Sequence, residues 1–333
     1  MFEDMLKDML RAYGPSGRED AVAEVIRSYV APHADEVSLD AIGNLIAYKK
    51  GTSGKKLMLC AHMDQIGLAV TDMDDKGFLR AARVGGVNAT CALAREVVFA
   101  NGTRGVTYFE TETKTFANAD FMELFIDIGA SSLEEAQEKV SIGDMAVFAS
   151  NYIRFGERVS SAALDNRLCC AAIAEAFITT VSPHDVYAVF SAQEEVGCRG
   201  AGAAAYAIQP DLCINVDITL TGDTPKAARC AMALGQGVAV KAMDLSVIVP
   251  QAVRGFIQGC AQKAGVAYQD EVIRRGGTDA GVVQRTRGGV AVGGVSIPVR
   301  YTHTPVETAD MRDVQGCIAL LHEILASGKL PVL

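Results

Sequence analysis

Glu194 and Glu195 stand side by side where the apolar run VYAVFSAQ ends, with the glycine-rich GCRGAG close behind them. Successive side chains of an extended strand point to opposite faces, so the two carboxylates cannot share one task. Placing either beside a buried strand is costly unless a cation compensates it. The pair reads as a division of labour: one carboxylate holds a metal ion and the other points at a water on that ion. A glycosidase needs two carboxyl groups facing each other across about 5–9.5 Å, which adjacent residues are poorly placed to provide.

Other apolar runs end in the same way. KLMLCAHMD closes on His62 and Asp64, LCINVD on Asp217, and GVSIPVRYTH leads to His303, while Asp165 in ALDNR opens a helix. In open α/β sheets ligands bind beyond the carboxyl ends of the strands, so these groups can converge at one rim. His62 and Asp64, two apart, point to the same side of a strand and suit a metal ligand and the group that orients it. His62, Asp165, Glu195, Asp217 and His303 together make two imidazoles and three carboxylates. That nitrogen and oxygen set suits zinc, cobalt or manganese, and holds two ions if one carboxylate bridges them. Two such ions clamp an attacking water and a substrate carbonyl oxygen, the arrangement of a two-metal hydrolase. His33, His184 and His322 fall in loop or helix-surface contexts and read as structural.

Three further motifs carry less. GGTDAG, residues 276–281, is a turn before a helix whose N–H groups can receive a carboxylate or oxyanion. VGCRGAG lacks the order of a phosphate-binding loop. Cys198 beside Arg199 has no evident base and is not taken as a nucleophile.

The elements that must position these groups follow from periodicity. A helix is expected over 2–12, then a break at GPSGRED, with Ser16 as the cap of a second helix reaching Val30. EVSLD and LIAYKK are short strands joined by a turn at Gly43-Asn44. Between about Leu68 and Ser160 short alternating segments dominate (GLAVTD, REVVFA, GVTYFE, ELFIDIG, DMAVFA), with one helical stretch at SSLEEAQEKV. After Ser160 helices and strands alternate. The expected fold is therefore α/β, a mixed sheet with helices on both faces, interrupted by a small β-rich domain. The expected division is 1–67 and 161–333 for the α/β domain and 68–160 for the insert.

Bulk properties narrow the class. The chain has 333 residues, half of them hydrophobic, and a net charge of −9. An acidic chain without a basic stripe is a poor nucleic-acid binder. No uncharged apolar stretch reaches the ~18 residues of a membrane span, and the N-terminus lacks signal-peptide character. Nine cysteines without a CxxC pair, mostly inside apolar runs, read as reduced core residues of a cytoplasmic protein.

Taken together, GPSGRE, AHMDQIG, ALDNR, AQEEVGCRGA, NVDITLTGDTP, GGTDAG and IPVRYTHTPVE resemble, in order over about residues 14 to 325, the motifs of the tetrahedral aminopeptidases, which include glutamyl and deblocking aminopeptidases. The resemblance implies a zinc-peptidase domain with a barrel-like insert that mediates dimer contacts, and dimers built into a hollow dodecamer. It implies that His62 and Asp217 hold one metal, that Glu195 and His303 hold the other and that Asp165 bridges. It also implies Glu194 as general base and Asp64 as the group orienting His62. The chain departs from the pattern at Gln65, often acidic in that family, and between about Asn101 and Asp120.

The expected activity is removal of N-terminal residues from short peptides, with a metal-bound water as nucleophile, two divalent ions (zinc or cobalt), and Glu194 moving the proton. The free α-amine of the substrate needs a metal or an acidic partner such as Asp279. Alternatives are an amidohydrolase or carboxypeptidase acting on acylated amino acids, a glycan hydrolase, and a non-catalytic scaffold. A basic residue in the pocket would favour Glu or Asp substrates, with Arg199, Arg274, Arg275 and Arg300 as candidates.

Overall fold

The computed structural model describes residues 1–110 and 119–331. Part of the Asn101–Asp120 segment singled out above thus lies outside the described residues. A large mixed sheet runs, from one edge, through the strands Glu36–Leu39, Leu45–Lys49, Asp185–Ser191, Lys56–His62, Leu212–Leu220, Val292–Arg300, Glu307–Asp310, Arg158–Ser161 and Ile153–Phe155. Val238–Met243 and Tyr268–Val272 extend it from Val292–Arg300. Six other strands, from Gly67–Met73 to Met145–Phe148, close into a barrel.

Four central strands are parallel: Asp185–Ser191, Lys56–His62, Leu212–Leu220 and Val292–Arg300. All four therefore end at the same rim. Ser191 pairs with His62 and Asn215 with Cys60, which sets the ends of two strands beside Asn215–Asp217, inside the strand Leu212–Leu220 rather than at its end. Each of these strands is apolar on both faces because helices cover both sides. Along Lys56–His62, Leu57, Leu59 and Ala61 join the core packed under helices Phe2–Arg11, Asp20–Val30, Leu164–Thr179 and Met311–Ala326. Met58 and Cys60 face the other core, with Ala201, Ala204 and Ala205 of helix Arg199–Ile208 and Val283 of Asp279–Gln284. The small residues of that helix let it approach closely. A Cβ on Gly200 would lie 2.1 Å from Asn44 Oδ1 and 2.5 Å from the Ala192 carbonyl.

Two sequence expectations change. Ser16 does not cap the second helix, which begins at Asp20 after Glu19 with no side-chain cap. Its hydroxyl is instead given to Asp64, at 2.6 Å. The hairpin Ile153–Phe155 and Arg158–Ser161 pairs with Glu307–Asp310 of the large sheet rather than with the barrel. Its outer strand is only three residues long and exposed throughout, so it has no buried face by which to assign it. His184 lies in a loop and is structural, as read from the sequence: it is buried, with Nδ1 2.7 Å from Ser53 Oγ.

Arg167 is fully buried in the first helical turns after Asp165. Its guanidinium donates to the carbonyls of Met9, Ala12, Gly14 and Met63. It thereby fastens the end of the first helix and the following loop to the residue after His62. Burial pulls its pKa down to about 10, so it still enters the core as a cation. Arg167→Met leaves those carbonyls unpaired, and a loss of about 3 kcal/mol is expected. Denaturant unfolding of the variant checks it, and a midpoint equal to that of the parent refutes it.

Candidate metal centre

The rim of the parallel strands gathers His62, Asp64, Asp165, Glu194, Glu195, Asp217 and His303. His62 sits at the end of its strand, buried. Its Nε2 lies 3.2 Å from Asp165 Oδ1, and 3.9 Å from both Asp217 Oδ1 and Glu194 Oε2. His303 Nε2 lies 3.3 Å from Asp165 Oδ2 and 3.2 Å from Glu195 Oε2. Asp165 thus directs one oxygen to each imidazole. His62, Asp165 and Glu195 offer ligand atoms within 4.8 Å of one another. Two ligands on a tetrahedral ion with bonds near 2.0–2.1 Å lie about 3.4 Å apart, and the 3.2–3.3 Å contacts match that spacing. The donor set around Asp165 fits a divalent metal centre.

The electrostatics show the same demand for positive charge. Burial pushes Glu194 well up and Asp217 up to about 7. Burial opposes a charged ring on His303, but hydrogen bonds to Asp165 and Glu195 outweigh it and hold its pKa up to about 12. His62 is likewise raised against burial by Asp165 and Asp64. Burial would raise Asp165, yet the two imidazoles hold it well below the usual range. Protons on the two rings thus occupy the place of cations among the carboxylates.

Asp64 anchors the assembly. One oxygen accepts from Ser16 Oγ at 2.6 Å and from the Glu195 N–H at 3.2 Å, the other from the Glu194 N–H at 3.0 Å. The His62 ring stands against it, Nδ1 being 3.3 Å from Asp64 Oδ1 and 3.1 Å from the Asp64 backbone carbonyl. A carboxylate on Nδ1 leaves Nε2 free for a metal.

Three contributors escaped the sequence reading. Glu307, fully within the core, accepts the Asp165 N–H at 2.9 Å and the His303 N–H at 2.7 Å, setting the backbone of two candidate ligands. The glutamate closing THTPVE was its only signal. Lys241 lies in the strand Val238–Met243, with Nζ 2.8 Å from Glu271 and 3.3 Å from Asp244. A lysine inside VAVKAM was a visible anomaly, but its partner became clear only from the register that pairs it with Glu271. The third is Gly86, from the barrel. A Cβ there would lie 2.5 Å from His303 Nδ1, and one on Gly85 would lie 3.1 Å from Glu195 Cβ.

A cavity of about 310 Å³ opens beside these groups, with Ile218, Leu220, Ile273, Arg275 and Thr302 among its walls. The other arginines weighed as specificity residues are partly committed: Arg300 forks onto Asp223 at 2.9 and 2.7 Å, and Arg199 reaches Gln193. Asp279 is buried and bound to Ser191 Oγ at 2.5 Å. Among the described residues it is not a wall of the cavity, so it stands behind Glu194 rather than at the substrate's amine.

Two measurements follow from this geometry. Gly86→Ala pushes the His303 ring aside, so the purified variant is expected to retain less metal after dialysis while unfolding at the parent's midpoint; unchanged metal retention counts against the contact. Cations must displace protons that the carboxylates hold on His62 and His303, so affinity rises with pH. Competition with a chromophoric chelator should show binding tighter by at least about tenfold at pH 8 than at pH 6, and a flat profile refutes the account.

The comparisons agree with this picture. The model of the M42 glutamyl aminopeptidase family matches residues 43–320. A protein of Acetivibrio thermocellus that bears an aminopeptidase name is 44% identical over 323 residues, covering 97% of this chain and 98% of its own. An aminopeptidase from the archaeon Desulfurococcus kamchatkensis superposes with a TM-score of 0.95 at 35% identity, covering 98% of this chain and 95% of that one. The TET1 peptidase of Pyrococcus horikoshii, which assembles into a tetrahedron or a large octahedral shell, superposes at 0.87 with 31% identity and covers 98% and 100%. A parallel-stranded rim carrying these ligands, a barrel beside it and a match over most of the length lead to one conclusion: the chain belongs to the M42 family of aminopeptidases.

Proposed function

We propose that the enzyme removes N-terminal residues from short peptides with two divalent cations, zinc or cobalt, held by His62 and Asp217 on one side, Glu195 and His303 on the other, and Asp165 between them. The observation that carries this reading is the pair of contacts from Asp165, one oxygen to each imidazole. When bound, the cations polarise the scissile carbonyl and acidify a water. Glu194 is the base. Its Oε2 stands 3.9 Å from the His62 ring, and its carboxyl is raised by burial toward the range useful for taking and returning a proton. It takes the proton of the attacking water and delivers it to the leaving amine. Asp64 fixes the ring of His62 and, through the backbone of 194 and 195, the place of both glutamates.

The substrate's ammonium belongs in the same negative field. An amidohydrolase or carboxypeptidase would need cations facing a substrate carboxylate. Arg275 lines the cavity but is exposed at its mouth, while Lys241 is spent on Glu271 and Asp244. Outward-facing Val106 and Tyr108 on the barrel strand Arg104–Phe109 are apolar surface suited to contacts between copies, and assembly through the barrel into a dodecamer is part of this proposal. Among the described residues no helix is long and apolar enough to cross a membrane. All nine cysteines are free, which supports a reducing, cytoplasmic setting.

Glu194→Gln is expected to keep its metals and lose at least about a hundredfold in kcat; near-parental turnover removes Glu194 from the mechanism. Side by side, an aminoacyl anilide should be cleaved and its N-acetyl form spared. Preference for the acetylated compound would favour the amidohydrolase reading.

A further inference from the structure

Behind Glu194, on the side away from the cavity, lies a second group of potential ligands. Cys198 Sγ, a Glu194 carboxylate oxygen and an Asp279 carboxylate oxygen lie within 4.8 Å of one another. Cys198 opens the helix Arg199–Ile208 in the left-handed region, at φ 53°, which turns its thiol back on the strand end; Sγ donates to Glu194 Oε1 at 3.2 Å. Asp279 is 1% exposed. One of its oxygens is taken by Ser191, and the other, Oδ1, is buried without a hydrogen-bond partner among the described residues. A buried carboxylate oxygen with nothing to bind is costly and marks a place for a cation. Cys198 is half-buried.

We propose that Cys198, Glu194 and Asp279 form a third, thiolate-containing cation site whose occupancy inhibits the enzyme. One sulfur and two carboxylates suit a soft or borderline divalent ion such as cadmium or zinc at the expense of magnesium or calcium. Binding exchanges the thiol proton for the ion: the S–H bond breaks, a sulfur–metal bond forms, and the proton leaves to solvent. The ion also takes the Glu194 carboxylate and so withholds it from the attacking water. The inhibitory half of the proposal rests on Glu194 being the base; the site itself does not. Zinc would then both build the active enzyme and, in excess, silence it.

The test uses the full-length enzyme already loaded with its two ions. Cadmium is added, and three things are read: bound equivalents by equilibrium dialysis, the ultraviolet thiolate-to-cadmium charge-transfer band, and turnover. A third equivalent is expected, with the band rising and turnover falling in parallel. Cys198→Ser, which preserves a donor toward Glu194, is expected to lose the band and the third equivalent and to need at least about tenfold more cadmium for inhibition. A band of parental size in Cys198→Ser, or no band in the parent, overturns the site. A band that depends on Cys198 while turnover is untouched overturns the inhibition and, separately, counts against Glu194 as the base.

Discussion

One buried carboxylate organises the catalytic rim. Asp64 follows the end of a central strand and accepts hydrogen bonds from two places that are distant in sequence: the loop at Ser16 and the adjacent backbone N–H groups of Glu194 and Glu195. Its remaining face meets the His62 ring. A carboxylate in an apolar core is tolerable only when its lone pairs are filled. Satisfying Asp64 therefore requires the N-terminal loop, the strand end of 191–195 and His62 to meet in one arrangement. Arg167 performs the complementary task with donors in place of acceptors, holding the carbonyls of the same loop and of Met63. Between them the backbone around the site has little freedom left.

The charge balance explains why such constraint is needed. Asp165, Glu194, Glu195 and Asp217 are brought together below the surface, and their mutual repulsion would drive the rim apart without rigid backbone around it. The fold uses the ends of parallel strands, Glu307 bonded to two backbone N–H groups, and a glycine contact from the barrel to keep the donors at ligand spacing. Preorganisation of this kind is what a metal site requires of its donors.

Much of this was legible in the sequence because buried strands announce themselves. A polar residue closing an apolar run is conspicuous, and His62, Asp64, Glu194 and Glu195 stand there; Asp217 breaks an apolar run but lies inside its strand, which continues to Leu220, and His303 follows a few residues beyond such a run. The barrel was visible as a change from long apolar runs to short alternating ones. What stayed hidden depends on contacts between distant backbones. Nothing local to Ser16 distinguishes a helix cap from a donor to Asp64, and Glu307 looks like any glutamate after a turn. The partner of Lys241 required a strand register, and the hairpin at 153–161 required knowing which sheet offers an open edge. The sequence pattern names candidate donors and strands, while their pairing belongs to tertiary structure.

The barrel's chain enters two to three residues after Asp64, and its Gly85–Gly86 loop returns to touch Glu195 and His303. An insertion attached only by its two ends would be a module free to be exchanged, lengthened or replaced among related proteins. This one is keyed. Its outer face can diverge, whereas the one loop that leans on His303 has no room for even a methyl group. A graft of another barrel onto this sheet would have to reproduce that glycine step, so insert and sheet are expected to change in concert during evolution and in design.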